Sequence, residues 1–158
     1  MTLTIRPARL EDHAALCSLF DELDEFHRRA RPDFFRPFEG PPRTPGQIEQ
    51  WLNGPGSTVL VAEDTGDIVG LAVLLTRPRS AFAGAVPRKA IELDNLVVRA
   101  DRRSRGIGEQ LLAETQRWSR EQGATHIEVG VHAFNHGARR FYERYGFARS
   151  IDRLMMAV

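Results

Sequence analysis

Apolar and polar positions along the 158-residue chain change their period several times, and each change predicts an element. Leu3 and Ile5 alternate with Thr2, Thr4 and Arg6, a two-residue period that predicts a short strand over Thr2–Ala8, ended at Pro7. From Leu10 the period becomes helical, with Leu16, Leu19, Phe20, Leu23 and Phe26 at steps of three and four. Arg31–Gly46 breaks the pattern with five prolines and two glycines, so it reads as a loop of fixed turns. Its Phe34, Phe35 and Phe38 either pack on the core or line a pocket, and packing is the favoured expectation. Thr44-Pro-Gly-Gln47 then has the form of a capping box with proline at the first helical position, opening a short helix through Leu52.

Ser57–Glu63 and Ile68–Thr76 are β-rich runs joined by Asp64-Thr65-Gly66-Asp67, which predicts a hairpin. Their nearly continuous apolar character points to a sheet covered on both faces. Arg77–Lys89 is a polar, small-residue loop, either a lid or a connection. Leu93–Val98 is a β-branched run, followed by the basic, glycine-punctuated turn Arg99–Gly108. A helix then carries Ile107, Leu111 and Trp118 on one stripe. Thr125–Val131 predicts another strand, Asn135–Tyr145 a short helix ended by Gly146, and Arg153–Val158 a final strand. The order β-α-α-β-β-β-α-β-α-β is α/β or α+β, and the length suits a single domain over residues 1–158.

The stretch Leu93–Trp118 carries the clearest chemistry. A strand that feeds a glycine loop opening a helix is a place to hold phosphate, because the first-turn N–H groups are unpaired and the helix dipole favours negative charge there. Gly106 and Gly108 let a ligand approach the backbone, and Arg102, Arg103 and Arg105 add charged donors. Ile107-Gly108-Glu109 lacks the Lys-Ser/Thr of a P-loop, and Leu111 stands where a dinucleotide fingerprint needs glycine.

Arg103-x-x-Gly106-x-Gly108, followed by Asn135-x-x-Ala138-x-x-Phe141-Tyr142-Glu143-x-x-Gly146-Phe147, resembles the GNAT superfamily of N-acetyltransferases. The resemblance implies a mixed, twisted, largely antiparallel sheet of six or seven strands flanked by about four helices. It implies acetyl-CoA held by the backbone of Ser104, Arg105, Gly106, Ile107, Gly108 and Glu109, with the Arg103 and Arg105 side chains nearby. The backbone of Leu96, Val97 and Val98 would bond the pantetheine arm, and Asn135 would also touch it while capping a helix. Tyr142 matches the family tyrosine near the cofactor sulfur. A phenol of pKa about 10 can protonate a thiolate whose thiol lies near 8.5–10.

A base is less sharply marked. In a regular strand Glu92 and Asp94 share a face with Leu96 and Val98, and carboxylates on an apolar face are costly unless paired or used. Family members often carry an acidic residue here that takes the amine proton, so Asp94, then Glu92, are the candidates; pairing with Lys89 or another cation is the alternative. The end of the first helix forms an acceptor wall in the superfamily, which makes Glu25 and His27 candidate contacts for a cationic amine.

Composition narrows the class. A net charge of +1 argues against nucleic acid as partner despite the Arg99–Arg105 cluster, and against a nucleotide-binding module. No apolar run reaches a membrane span, no signal-peptide pattern opens the chain, and the single Cys17 suits a reducing compartment, so cytoplasm is expected. Cys17 itself reads as a packed side chain, and His13 and His126 as surface residues. His132 and His136 straddle a strand-to-helix break, so no metal site is expected. The expectation is an acetyltransferase joining acetyl-CoA and an amine acceptor in a ternary complex, in a family that often forms homodimers. A non-catalytic acyl-CoA-binding protein of the same fold is the alternative.

Overall fold

The computed structural model describes residues 2–158. Five strands, β1 (Leu3–Pro7), β2 (Ser57–Asp64), β3 (Asp67–Thr76), β4 (Ala90–Val98) and β5 (His126–Glu128), form one sheet in sequence order. The first four run antiparallel in turn, and β5 joins β4 in parallel. Four helices, α1 (His13–Ala30), α2 (Pro45–Asn53), α3 (Ile107–Glu121) and α4 (His136–Arg144), cover the two faces. No described helix is long and apolar enough to cross a membrane.

The near-continuous apolar runs have the cause expected of them. Val59, Val61, Leu71, Val73 and Val97 pack under Leu16, Leu19 and Phe20 of α1 and Ile48 of α2. The alternate positions Leu60, Ala62, Ala72, Leu74, Ile91 and Leu93 pack under Ile107, Leu111 and Leu112 of α3 and Tyr142 of α4. Each central strand therefore buries both of its faces. The capping box closes as predicted: the Gln47 N–H donates to Thr44 Oγ1 at 3.1 Å and the Thr44 N–H to Gln47 Oε1 at 2.8 Å. At the hairpin Thr65 and Gly66 take φ of +53° and +88°, the left-handed pair that a two-residue connection needs.

Three features differ from expectation. The sheet has five strands rather than six or seven, and residues 153–158 carry no regular structure and are exposed. β5 is shorter than Thr125–Val131, because its ladder with β4 ends at Glu92–Glu128. β4 is not regular either: Leu93 pairs with Leu74 but Asn95 pairs with Val73, so Asp94 is an extra residue, a β-bulge. Ile91, Leu93, Leu96 and Val98 consequently share the face under α3, whereas Glu92, Asn95 and Val97 share the other. The expected common face of Glu92, Asp94, Leu96 and Val98 does not exist.

Candidate active site

The bulge sits where β4 and β5 part. Beyond Glu92 the edge of β4 that faces β5 has no strand beside it, and the space between opens into a cleft of about 400 Å³. Leu93–Leu96 form one wall and Val129–His132 the other. Leu23, Asp24, His27 and Arg28 of α1 contribute a third side, and the proline-rich loop adds Phe35, Arg36, Phe38 and Arg43. Asn135, Ala138 and Tyr142 of α4 complete it. A bent strand end with free backbone groups, facing a cleft, can bond an extended ligand as a further strand would.

At the end of β4 the chain enters the glycine loop. Ser104 has φ of +60°, and Gly106, the N-cap of α3, has +78°. This alternation turns successive N–H groups to one side, a nest for an anion. The N–H groups of Ser104, Arg105, Gly106, Ile107, Gly108 and Glu109 find no acceptor among the described residues; the first bond of α3 runs from the Gln110 N–H to the Gly106 carbonyl at 3.1 Å. Six adjacent unpaired donors at the positive end of a 15-residue helix make a built anion site.

The arginines around it divide by role. Arg99 pairs with Asp101 at 2.7 Å, and Arg102 pairs with the buried Asp64, tying the loop to the β2–β3 hairpin. The Asp64 carboxyl is held below its usual range: burial pushes it up, but hydrogen bonds from Thr65 and Arg102 outweigh that. Arg103 donates from Nε to the Val98 carbonyl at 3.0 Å and lies 3.8 Å from Glu22. Arg105 makes no ion pair or hydrogen bond among the described residues, so it is the free cation of the group. A Cβ at Gly108 would already touch the Phe141 ring at 3.4 Å, which leaves little room for a larger side chain.

Tyr142 is buried, edge-on to Phe141 and Phe147, yet lines the cleft. Its hydroxyl bonds to no described residue and is not sealed from the cleft. Burial pushes its pKa up to about 12, so it is a neutral hydrogen-bond donor at neutral pH. Asn135 caps α4 by accepting the Ala138 N–H at 3.1 Å and also lines the cleft, so both of its expected places coincide.

The carboxylates separate. Asp94 lines the cleft and accepts from the Asn95 side-chain amide at 2.8 Å. Glu92 lies outside the lining and pairs with Arg77 at 3.0 Å, the cation-paired alternative with a different partner. Glu25 is also outside it, its carboxylate held by Arg28 and Arg29 at 3.0 and 2.8 Å. His27 is in the lining, and its Nδ1–H donates to the Leu23 carbonyl at 2.8 Å, which leaves Nε2 open when the ring is neutral.

Sequence reasoning missed part of this site. Phe35 and Phe38 line the cleft rather than only packing, and the loop that carries them is clamped to α1 by Arg43. That side chain bonds Asp24 at 3.0 Å and lies 4.4 Å above the Phe20 ring. His13 is not a free surface residue: its Nε2 lies 2.8 Å from the Arg43 carbonyl and 3.3 Å from Cys17 Sγ. His132 stacks on Phe134 and meets His27 edge-on at 5.3 Å between ring centres. Burial, with the positive fields of His27 and Arg31, pulls its pKa below the usual histidine range. The available signal was the density of Phe and His in otherwise polar loops.

Comparison with known proteins agrees with this fold. An uncharacterized N-acetyltransferase, YhfO, of Bacillus subtilis is 26% identical over 145 residues, 92% of this chain and 89% of that one. The BH1408 protein of Bacillus halodurans, solved as a tetramutant, superposes with a TM-score of 0.91 at 27% identity, covering 98% of this chain and 99% of that one. The aminoglycoside N-acetyltransferase AAC(6')-Iy, solved with CoA, shares the fold at 18% identity, with a TM-score of 0.79 over 99% of this chain and 95% of that one. The pattern of the acetyltransferase (GNAT) family matches residues 20–147, and the chain belongs to that family.

Proposed function

We propose that the protein transfers the acetyl group of acetyl-CoA to a primary amine held in the cleft, by direct attack within a ternary complex. The observation that carries this reading is the run of six unpaired N–H groups at Ser104–Glu109, which follows β4 in the chain, together with the free edge of that strand and a cleft lined by a protonated Tyr142. A protein of the same fold solved with CoA and a relative named as an N-acetyltransferase support the cofactor and the nitrogen acceptor.

When bound, acetyl-CoA supplies an activated thioester whose carbonyl carbon exchanges sulfur for nitrogen. The nest would take the pyrophosphate, with Arg105 as its free side-chain cation and Arg103 bracing the strand end. The backbone of Leu96, Val97 and Val98 would hold the pantetheine arm and offer an N–H to the thioester oxygen, where negative charge grows. Asn135 bonds the arm from α4. Asp94 draws the ammonium form of the acceptor into the cleft and accepts one of its protons, directly or through water, with the His27 and His132 rings lining the cleft beside it. As the C–S bond breaks, Tyr142 would give its proton to the departing sulfur; the second proton, lost by the nitrogen once the C–N bond has formed, would pass through water to restore Tyr142, and Asp94 would release the first to solvent. The products are the N-acetylated amine and CoA.

Release of free thiol from acetyl-CoA, followed across a panel of polyamines, amino acids, aminoglycosides and peptides, tests the reading. Amine-dependent thiol release is expected with at least one class. A protein that binds acetyl-CoA but releases no thiol with any of them would leave the non-catalytic reading in its place.

A further inference from the structure

Three arginines and two aspartates line the cleft, and they do not all neutralise one another. Arg43 and Asp24 close on each other at 3.0 Å. Arg28 gives Nε and Nη2 to one oxygen of Glu25, at 3.2 and 3.0 Å, and keeps Nη1 without a partner among the described residues. Arg36 makes no ion pair or hydrogen bond among the described residues, although it lines the cleft and is exposed at its rim. Asp94, on the β4 bulge, receives only the Asn95 side-chain amide at 2.8 Å. One free carboxylate therefore faces the same space as a free guanidinium and a half-free one. The acidic side chains of α1 do not offset these cations. Glu25 holds both Arg28 and Arg29, and Glu22 accepts the Ala100 N–H at 3.1 Å.

The free cation arrives with apolar surface on either side of it. One short run, Phe35-Arg36-Pro37-Phe38, brings two rings and a guanidinium to the cleft. Its backbone is held in place. The Phe35 N–H donates to the Arg31 carbonyl at 2.9 Å, and Arg43 clamps the loop to α1 through Asp24. Pro37 further restricts Arg36 to extended backbone. The Phe35 ring meets His27 and His132 edge-on, at 5.4 and 5.2 Å between centres. Phe38 packs on no other ring among the described residues and is 55% exposed, so its face is open to a ligand. A planar guanidinium matches a carboxylate with two parallel hydrogen bonds, and adjacent rings suit an apolar body.

We infer that the acceptor is an amino acid with an apolar or aromatic side chain, its ammonium group taken by Asp94, its carboxylate by Arg36 and Nη1 of Arg28, and its side chain by Phe35 and Phe38. This deepens the acetyl-transfer reading above and rests on it. The amino nitrogen forms its bond to the acetyl carbon as the C–S bond breaks. Of the two protons the ammonium group loses, one is balanced by the thiol of CoA and the other goes to solvent. The carboxylate takes no part in the bond changes and only holds the molecule. A polycation, whether polyamine or aminoglycoside, would bring further positive charge against two arginines, a repulsion that selects against it.

The test is thiol release from acetyl-CoA by the full chain with matched acceptors. These are phenylalanine and leucine, their carboxamides, the decarboxylated amines phenethylamine and isopentylamine, and spermidine and kanamycin as polycations. The amino acids should exceed their carboxamides and decarboxylated amines in kcat/KM by at least about tenfold, mostly through KM, the effect of one charge-assisted pair. Arg36→Gln should reduce that preference to about threefold or less, and Arg36→Glu should reverse it. The inference is overturned, with acetyl transfer left standing, if the carboxamides or decarboxylated amines match the amino acids. A preference that survives both substitutions, or spermidine or kanamycin as the best acceptor, has the same consequence. So does thiol release with peptides alone. No release with any of these or with peptides, from a protein that binds acetyl-CoA, removes the acetyl-transfer reading as well. If either variant fails to fold, the parent's preference decides alone.

Discussion

Tyr142 is the residue whose environment most constrains the chemistry. The burial that raises its pKa to about 12 also disfavours a thiolate beside it, so donor and acceptor shift in the same direction and proton transfer stays close to balance. Tyr142→Phe should lower turnover by roughly 10²–10⁴-fold with acetyl-CoA affinity nearly unchanged, read by steady-state kinetics with calorimetry. A large loss of affinity with normal turnover would remove the acid role. The same shift bears on stability. The folded pKa lies above the unfolded value of about 10, so the contribution is complete below pH 10 and is lost as pH rises toward 12. That loss amounts to about 3 kcal/mol. Denaturant unfolding should show the parent losing more stability than Tyr142→Phe over that window. Gly106 belongs to the same scale. A Cβ added there would meet nothing within 4 Å, yet its φ of +78° disfavours a branched side chain. Gly106→Val should therefore weaken acetyl-CoA binding at least about tenfold through the loop alone. At Gly108 the Phe141 ring stands in the way, and Gly108→Val should weaken binding and disturb the α3–α4 contact together.

At the scale of elements, the bulge in β4 and the early end of its ladder with β5 make the cleft. Packing of α3 on β3 sets where the anion loop sits against them. That packing depends on Gly70: a Cβ there would stand 3.0 Å from the Val97 carbonyl oxygen and 3.1 Å from Leu111. Gly70→Ala should cost about 1–3 kcal/mol and lower the melting temperature by several degrees, measured by thermal unfolding. An unchanged melting temperature would show that α3 shifts freely. Local signals are legible in the sequence at this scale. The Thr44–Gln47 capping box, the Thr65-Gly66 turn and the glycine-opened α3 each depend on residues a few positions apart. The bulge at Asp94 is not legible, because one inserted residue leaves composition unchanged and only the register against β3 reveals it. The place of Phe35 and His132 in the cleft is hidden for a related reason: their rings meet across most of the length of the chain. Of the motif-matched residues, Asn135 and Tyr142 line the cleft, whereas Ser104–Glu109 turn from β4 into α3 outside its lining.

For the whole molecule, two helical layers close both faces of a five-stranded sheet. The pattern of Arg153–Val158 predicts a strand, but those residues carry no regular structure and join no sheet. The charge pattern likewise resolves only in three dimensions. Of the arginines clustered at 99–105, Arg99 and Arg102 are consumed by Asp101 and Asp64, and Arg105 alone is left free for a ligand among the described residues. A ligand that binds only the folded state raises its stability by mass action, about 2.7 kcal/mol at 100 times its dissociation constant. The most direct measurement is therefore calorimetric titration of the protein with acetyl-CoA, desulfo-CoA and ATP. Saturable binding of both CoA species, clearly tighter than ATP, is expected if the free edge of β4 holds the pantetheine arm as well as the nest the phosphates. Absence of CoA binding, or binding of ATP as tight as that of acetyl-CoA, would contradict it.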